Sequence, residues 1–206
     1  MSRTIVYGAA ALIVAGLGAG AWFTMGDDGD DGLAACRADG SAIGASIGGP
    51  FTLTTHKGER ITSEELIDKP TLIYFGYTFC PDFCPADAAN MAAATDLLAE
   101  QDIAINTAFV TIDPARDTPE VLGRFVELMH PGMVGLTGSP EDLAAAAKAY
   151  RVYYAKAGDD PDYYLMDHST FTYLMAPGRG FLDFFRHGAP PEEIADRVAC
   201  YARELG

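Results

Sequence analysis

The chain is poor in positive charge. It has 14 Lys and Arg against 29 Asp and Glu, for a formal net charge of −15. Nucleic acid selects basic surfaces, so that class of partner is excluded. Docking onto a basic protein is compatible with this balance, and so is a plain solvated acidic face. No nucleotide-binding glycine pattern and no internal repeat occurs. Cysteine is scarce, with four residues in 206, and no two of them form the C-x-x-C of redox motifs. Charge is missing altogether from Thr4 to Gly26.

That uncharged run is long enough to cross a bilayer core, which needs about 20 residues. Arg3 precedes it, and Asp27, Asp28, Asp30 and Asp31 follow. The positive-inside rule puts the N-terminus in the cytoplasm and everything after Asp27 outside. Two rival readings compete. Ala19-Gly20-Ala21 is similar to a signal-peptide cleavage site, but the run continues past it behind a single Arg. Leu33-Ala34-Ala35-Cys36 is similar to a lipoprotein box, but a Gly/Asp-rich stretch separates it from the apolar run. The favoured reading is an uncleaved transmembrane helix at 1–26, a flexible Gly/Asp/Ala/Ser tether at 27–45, and a folded domain at 46–206.

Within the domain, residues 51–62 alternate around a His56-Lys57-Gly58-Glu59 turn and predict a hairpin. Thr62 or Ser63 caps a short helix through Ile67. An apolar strand at 71–77 runs into Cys80-Pro81-Asp82-Phe83-Cys84-Pro85 and then a helix over 85–100. A second buried strand follows near 103–112. Thr118 with Pro119, and Ser139 with Pro140, open two capped helices on either side of a short strand at 134–136. Residues 151–169 read as irregular. A hairpin over 171–186 and a final helix after Pro191 close the chain. Strands interleaved with helices give an α/β sandwich. The order after the cysteines is thioredoxin-like, with an added N-terminal hairpin and a helical insertion over 113–150.

Cys80 and Cys84 stand between strand and helix, where helix N-terminal N–H groups favour a thiolate. Their spacer is three residues, which widens the pair and turns the reading from disulfide exchange towards holding a metal. The alternative of a plain structural bridge is weak, because so short a loop stabilises little. Four histidines compete as a third ligand. His56 lies in a polar turn, His130 at a helix C-terminus and His187 after a hairpin, all ordinary structural places. His168 precedes the strand at 171, where a thioredoxin-like topology faces the cysteines and carries a cis-proline. No proline stands there. Two thiolates and an imidazole suit Cu(I), and Cys/His sets also accept Cu(II). Zinc prefers a fourth ligand. Asp167 is either the residue that orients the imidazole or a solvated loop acid, and Met166 is either a thioether ligand or, as is commoner, packing. Cys36 and Cys200 form the expected structural disulfide, worth about 2–4 kcal/mol; the alternative is that both stay unpaired.

Gly49-Pro50-Phe51, the run Tyr74 to Pro85, Asp113-Pro114-Ala115-Arg116-Asp117-Thr118-Pro119 and Met166-Asp167-His168-Ser169 together resemble the SCO/SenC family. The resemblance covers about residues 46–199. It implies a membrane-anchored thioredoxin-like protein that binds copper through Cys80, Cys84 and His168. It further implies help in assembling the dinuclear copper site of cytochrome c oxidase subunit II, by copper delivery, thiol reduction or both. The expected place is a bacterial inner membrane, single-pass, with the soluble domain in the periplasm. Another periplasmic copper carrier is a second expected partner. Cys36 and Cys200 lie outside the family pattern, and Asp113 to Thr118 receives no catalytic role. The rival functions are a thiol–disulfide oxidoreductase, a peroxidase, and a copper or redox sensor. A peroxidase of the peroxiredoxin type needs Thr three residues before the reactive Cys, where this chain has Tyr77.

Overall fold

A computed structural model describes residues 33–37, 47–158, 160 and 163–205. The chain divides into Met1–Ala35 and a compact unit, Cys36–Gly206. The expected membrane helix at 1–26 lies outside the described residues. Among the described residues no helix is long and apolar enough to cross a membrane. Of the expected tether only 33–37 is described, and Leu33–Cys36 is a 3-10 turn. The compact unit includes Cys36, which is bonded to Cys200 in the last helix with Cα atoms 5.6 Å apart.

The elements run β1 (Thr52–Thr55), β2 (Arg60–Thr62), α1 (Ser63–Leu66), β3 (Thr71–Gly76), α2 (Phe83–Ala99), β4 (Asn106–Thr111), α3 (Pro119–Met129) and β5 (Met133–Thr137). Then come α4 (Pro140–Ala149), β6 (Tyr154–Ala157), β7 (Leu165–His168), β8 (Phe171–Ala176), β9 (Gly180–Arg186) and α5 (Pro191–Leu205). Seven strands form one sheet in the order β2-β1-β5-β4-β3-β8-β9, and β6 pairs with β7 in a separate ribbon.

Helix starts are fixed locally. Thr62 and Glu65 form a capping box ahead of α1. The hydroxyls of Thr118 and Ser139 accept the N–H groups of Val121 and Asp142, with Pro at the following position in each helix. Helix α2 begins at Phe83, earlier than the expected 85, because its first turn has an unusual cap. Asp82 makes no side-chain cap bond, and the Cys84 N–H is instead taken by the Cys80 sulfur at 3.3 Å.

Every residue of β3 is buried. A central strand covered on both faces reads as a continuous apolar run, and Leu72-Ile73-Tyr74-Phe75 is one. β3, β4 and β5 are parallel, while β8 runs antiparallel to β3. Gly76 pairs with Thr111, and Tyr74 with Thr172. The loops leaving β3 and β4 and the segment entering β8 therefore meet at one edge of the sheet. The short strand expected at 134–136 inside the insertion is present as β5. β5 lies between α3 and α4 and joins the β1–β2 hairpin to the sheet.

The expectation of irregular chain over 151–169 is corrected. Tyr154–Ala157 and Leu165–His168 pair antiparallel, with His168 opposite Tyr154. The ribbon has no fully buried face, so its sequence lacks the apolar alternation that marks a strand.

Candidate metal centre

The sulfurs of Cys80 and Cys84 and one ring nitrogen of His168 all lie within 4.8 Å of one another. Cys80 sits in the loop after β3, Cys84 in the first turn of α2, and His168 at the end of β7. Both cysteines are buried, free thiols. Cys80 and His168 form part of the wall of a cavity of about 360 Å³ that Tyr77, Phe83, Tyr153 and Met166 also line, with Cys84 buried behind it.

The imidazole is oriented by its far nitrogen. His168 Nδ1 lies 2.9 Å from the Ser169 carbonyl, and Nε2 lies 3.4 Å from the Cys84 sulfur. A carbonyl only accepts, so Nδ1 carries a hydrogen, and Nε2 is the nitrogen turned to the sulfurs. Of the two readings of Asp167, the solvated acid is the one its exposure favours. Side chains alternate along β7, so Asp167 is exposed while His168 faces the thiols. Ser169 also anchors the ribbon, donating its N–H to the Tyr153 carbonyl at 2.9 Å and accepting the Tyr153 N–H at 3.1 Å. Tyr74 and Tyr77 meet the imidazole in edge-on contacts at 6.2 and 5.8 Å.

The two thiols are unequal. Cys80 is held well below the usual thiol range, chiefly by the Cys84 side chain, with His168 and the Cys84 N–H adding to the effect against the cost of burial. Cys84 is pushed up by the same contact with Cys80 and by burial. Cys80 is thus the thiolate of the pair and Cys84 the thiol. Two sulfurs and an imidazole nitrogen turned towards them fit a soft metal ion.

The Asp113-to-Thr118 stretch acquires a role that its sequence did not reveal. Asp117 is buried, and its carboxylate accepts three bonds. The Thr78 N–H donates at 3.0 Å, the Thr78 hydroxyl at 2.6 Å and the Thr111 hydroxyl at 2.6 Å. It pins the thiol loop to the end of β4. Burial raises its carboxyl above the usual range, against the pull of those bonds. Asp113 accepts from Arg116 Nε and, at 2.8 Å, from the Tyr164 hydroxyl. Arg116 lies over the Tyr164 ring at 3.6 Å and the Phe79 ring at 4.8 Å, and donates to the Tyr164 carbonyl at 2.9 Å. One arginine thereby joins the thiol loop, through Phe79, to the ribbon that carries His168. The stretch brackets the two sides of the centre.

Gly76 is the other residue the sequence hid. A Cβ there would stand 2.8 Å from the Cys84 sulfur and 2.8 Å from the Tyr74 ring. A lone glycine inside an apolar strand signals such a close approach. The remaining histidines lie elsewhere, in structural places. His56 accepts the Gly135 N–H at 3.1 Å and His130 the Gly132 N–H at 2.9 Å. His187 contacts Asp87.

A family model described as SCO1/SenC matches residues 40–203. The chain belongs to the SCO1/SenC family. It is 48% identical over 204 residues to Protein SenC of Rhodobacter capsulatus, covering 99% of this chain and 92% of that protein. It is 40% identical over 165 residues to the mitochondrial SCO1 homolog 1 of Arabidopsis thaliana, covering 80% of this chain and 49% of that longer protein. The crystal structure of Arabidopsis thaliana ScoI with copper bound superposes with a TM-score of 0.71 at 39% identity, covering 77% of this chain and 98% of that one. The thioredoxin-like Sco fold therefore holds for the compact unit of this chain.

Proposed function

We propose that this SCO1/SenC protein is a copper chaperone, anchored in a bacterial inner membrane by residues 1–26 with its compact unit in the periplasm. Its recipient is subunit II of cytochrome c oxidase. The observation that carries the reading is the convergence of two sulfurs and an imidazole nitrogen within 4.8 Å, with Cys80 and His168 lining a cavity. The family is one of cytochrome c oxidase assembly proteins, and relatives have been solved with copper bound. Cys80, Cys84 and His168 hold the ion. Because the cavity reaches Cys80 and His168, a recipient's own sulfur or imidazole approaches the ion from that side before these three release it. The uncharged run Thr4 to Gly26 and the acids after it support the anchor and its orientation.

One observation favours a second role. The two free thiols lie side by side, with Cys80 held low by its contact with Cys84 and Cys84 pushed up by the same contact and by burial. Such a pair attacks a disulfide through Cys80 and resolves the mixed disulfide through Cys84. The test is to incubate the copper-loaded chain with the copper-free soluble domain of subunit II. In one arm its ligand cysteines are reduced, and in the other they are joined as a disulfide. Growth of the dinuclear copper spectrum in the reduced arm alone supports delivery. Reduction of the disulfide by the metal-free dithiol, without copper transfer in the first arm, supports the reductase reading instead.

A further inference from the structure

Six large apolar side chains are exposed among the described residues: Phe79, Phe83, Leu128, Tyr153, Tyr163 and Leu165. Exposed hydrophobics scattered singly are ordinary, but these are not scattered. Phe83, Tyr153 and Leu165, each more than half exposed, line the cavity that reaches Cys80 and His168. The first turn of α2 supplies Phe83, the residue ahead of β6 is Tyr153, and β7 supplies Leu165, so three separate stretches build one apolar rim. Phe79 directly precedes Cys80, and Tyr163 stands two residues before Leu165. Leu128, near the end of α3, is the one that neither lines the cavity nor stands close in sequence to a residue that does. The rim also carries charge of one sign. Asp82 and Asp167 line the same cavity and are exposed, and no Lys or Arg is among its described lining residues. The two cations beside the ribbon are drawn onto the Tyr164 ring instead, Arg116 at 3.6 Å and Lys156 at 3.9 Å.

We propose that this rim is the docking face for the copper recipient, and that the recipient's matching face is apolar and flanked by Lys or Arg opposite Asp82 and Asp167. The proposal rests on the chaperone reading and adds the place where the recipient lands and the chemistry that holds it there. Aromatic anchors at the centre of an interface carry most of its affinity, and Phe83 and Tyr153 are such anchors. Covering them closes the cavity to water, which strengthens every charge interaction across the rim. The two carboxylates steer a basic face to the cavity and set its orientation there, since like charges in the wrong register repel. The same carboxylates repel anionic lipid headgroups, so the rim does not suit a membrane surface.

The test measures, by titration calorimetry, association of the full-length, metal-free, reduced chain with the copper-free soluble domain of subunit II. Tyr153→Ser combined with Leu165→Ser should weaken it about 10- to 100-fold. Both side chains are over half exposed and neither is a ligand, so the double variant keeps its urea midpoint and its copper stoichiometry. Asp167→Lys should weaken association by a smaller factor, about 3- to 10-fold, and flatten its dependence on salt. Leu128→Ser is the control and should change nothing. Association unaffected by the double variant, or weakened as much by Leu128→Ser, overturns the proposal, as does a wild-type chain that does not bind the domain. If the double variant fails to fold, Asp167→Lys decides alone, since it changes one exposed charge; association that stays the same or tightens refutes the proposal. A wild-type chain that sediments as a dimer, with a monomeric double variant, assigns the rim to a second copy of this chain and overturns the recipient. Copper uptake is read separately, from the sulfur-to-copper absorption band. A chain that docks but takes up no copper contradicts the chaperone reading and leaves the docking face standing, and one that takes up copper but does not dock does the reverse.

Discussion

The thiol side of the centre is packed and the histidine side is hung. Cys84 is fully buried, pressed against Gly76 and Tyr74, and its loop is pinned by a carboxylate that accepts three bonds. His168 ends a two-stranded ribbon with exposed residues on it, tied down by Arg116 stacked on Tyr164 and by the Ser169–Tyr153 bonds. One side is positioned by the core, and the other by a few named contacts. Interiors are close-packed and respond steeply to a single added carbon, whereas surface ribbons open locally at low cost. A site built this way fixes its sulfurs and lets its nitrogen move, which suits an ion that must be passed on.

The contrast predicts where the site breaks. The largest effect belongs to Gly76→Ala. Its methyl would meet Cys84 Sγ, Tyr74 and Phe109 at 3.0 Å or closer. Stoichiometric copper binding should be lost and stability should fall by about 1–3 kcal/mol, read by urea unfolding. Unchanged binding would show that the thiol side is not tightly packed. Arg116→Met comes next. It keeps an apolar stem against Phe79 but loses the bonds to Asp113 and Tyr164. Copper affinity should drop about 10- to 100-fold, with faster amide exchange across Leu165–His168 and little loss of global stability. Exchange that quickens instead throughout β3 and β4 would mean that the bracket supports the core rather than the ribbon.

The smallest effect concerns pH. Burial raises the Asp117 carboxyl, so the fold binds that proton more tightly than the unfolded chain does. Its contribution is therefore complete below the unfolded value of about 3.9 and is lost as pH rises through the raised folded value. Relative to Asp117→Asn, the wild type should lose stability as pH increases through that window. Parallel urea midpoints for the two proteins across the window would contradict this.

The same contrast explains what was legible in the sequence. The thiol side announced itself, because buried strands need apolar runs and helices need caps. Leu72 to Phe75, Thr118 before Pro119, and Ser139 before Pro140 carry those signals in a few adjacent residues. His168 was legible through topology and the family resemblance, although the strand that bears it was not. Tyr154–Ala157 and Leu165–His168 bury no continuous face, so no alternation marks them. Arg116 and Asp117 act across 39 to 48 residues of chain, on Thr78 and Tyr164. Only the fold brings those partners together, which is why their stretch stood out in the sequence without a role. Asp167 stayed ambiguous for the opposite reason: it is adjacent to His168 in sequence, but the imidazole Nδ1 meets the Ser169 carbonyl. The Cys36–Cys200 bridge was expected from two leftover cysteines and is present.

The central claim is that Cys80, Cys84 and His168 form one copper site. The most direct test titrates Cu(II) anaerobically into the reduced full-length chain, beside His168→Ala, and records the visible and near-ultraviolet absorption. The account predicts a sulfur-to-copper band that saturates at one equivalent in the wild type and is lost or shifted in the variant. An identical band in both proteins would remove His168 from the site. Consumption of Cu(II) solely to oxidise Cys80 and Cys84 to a disulfide, with no stable band, would contradict a Cu(II) site and favour the thiol reductase.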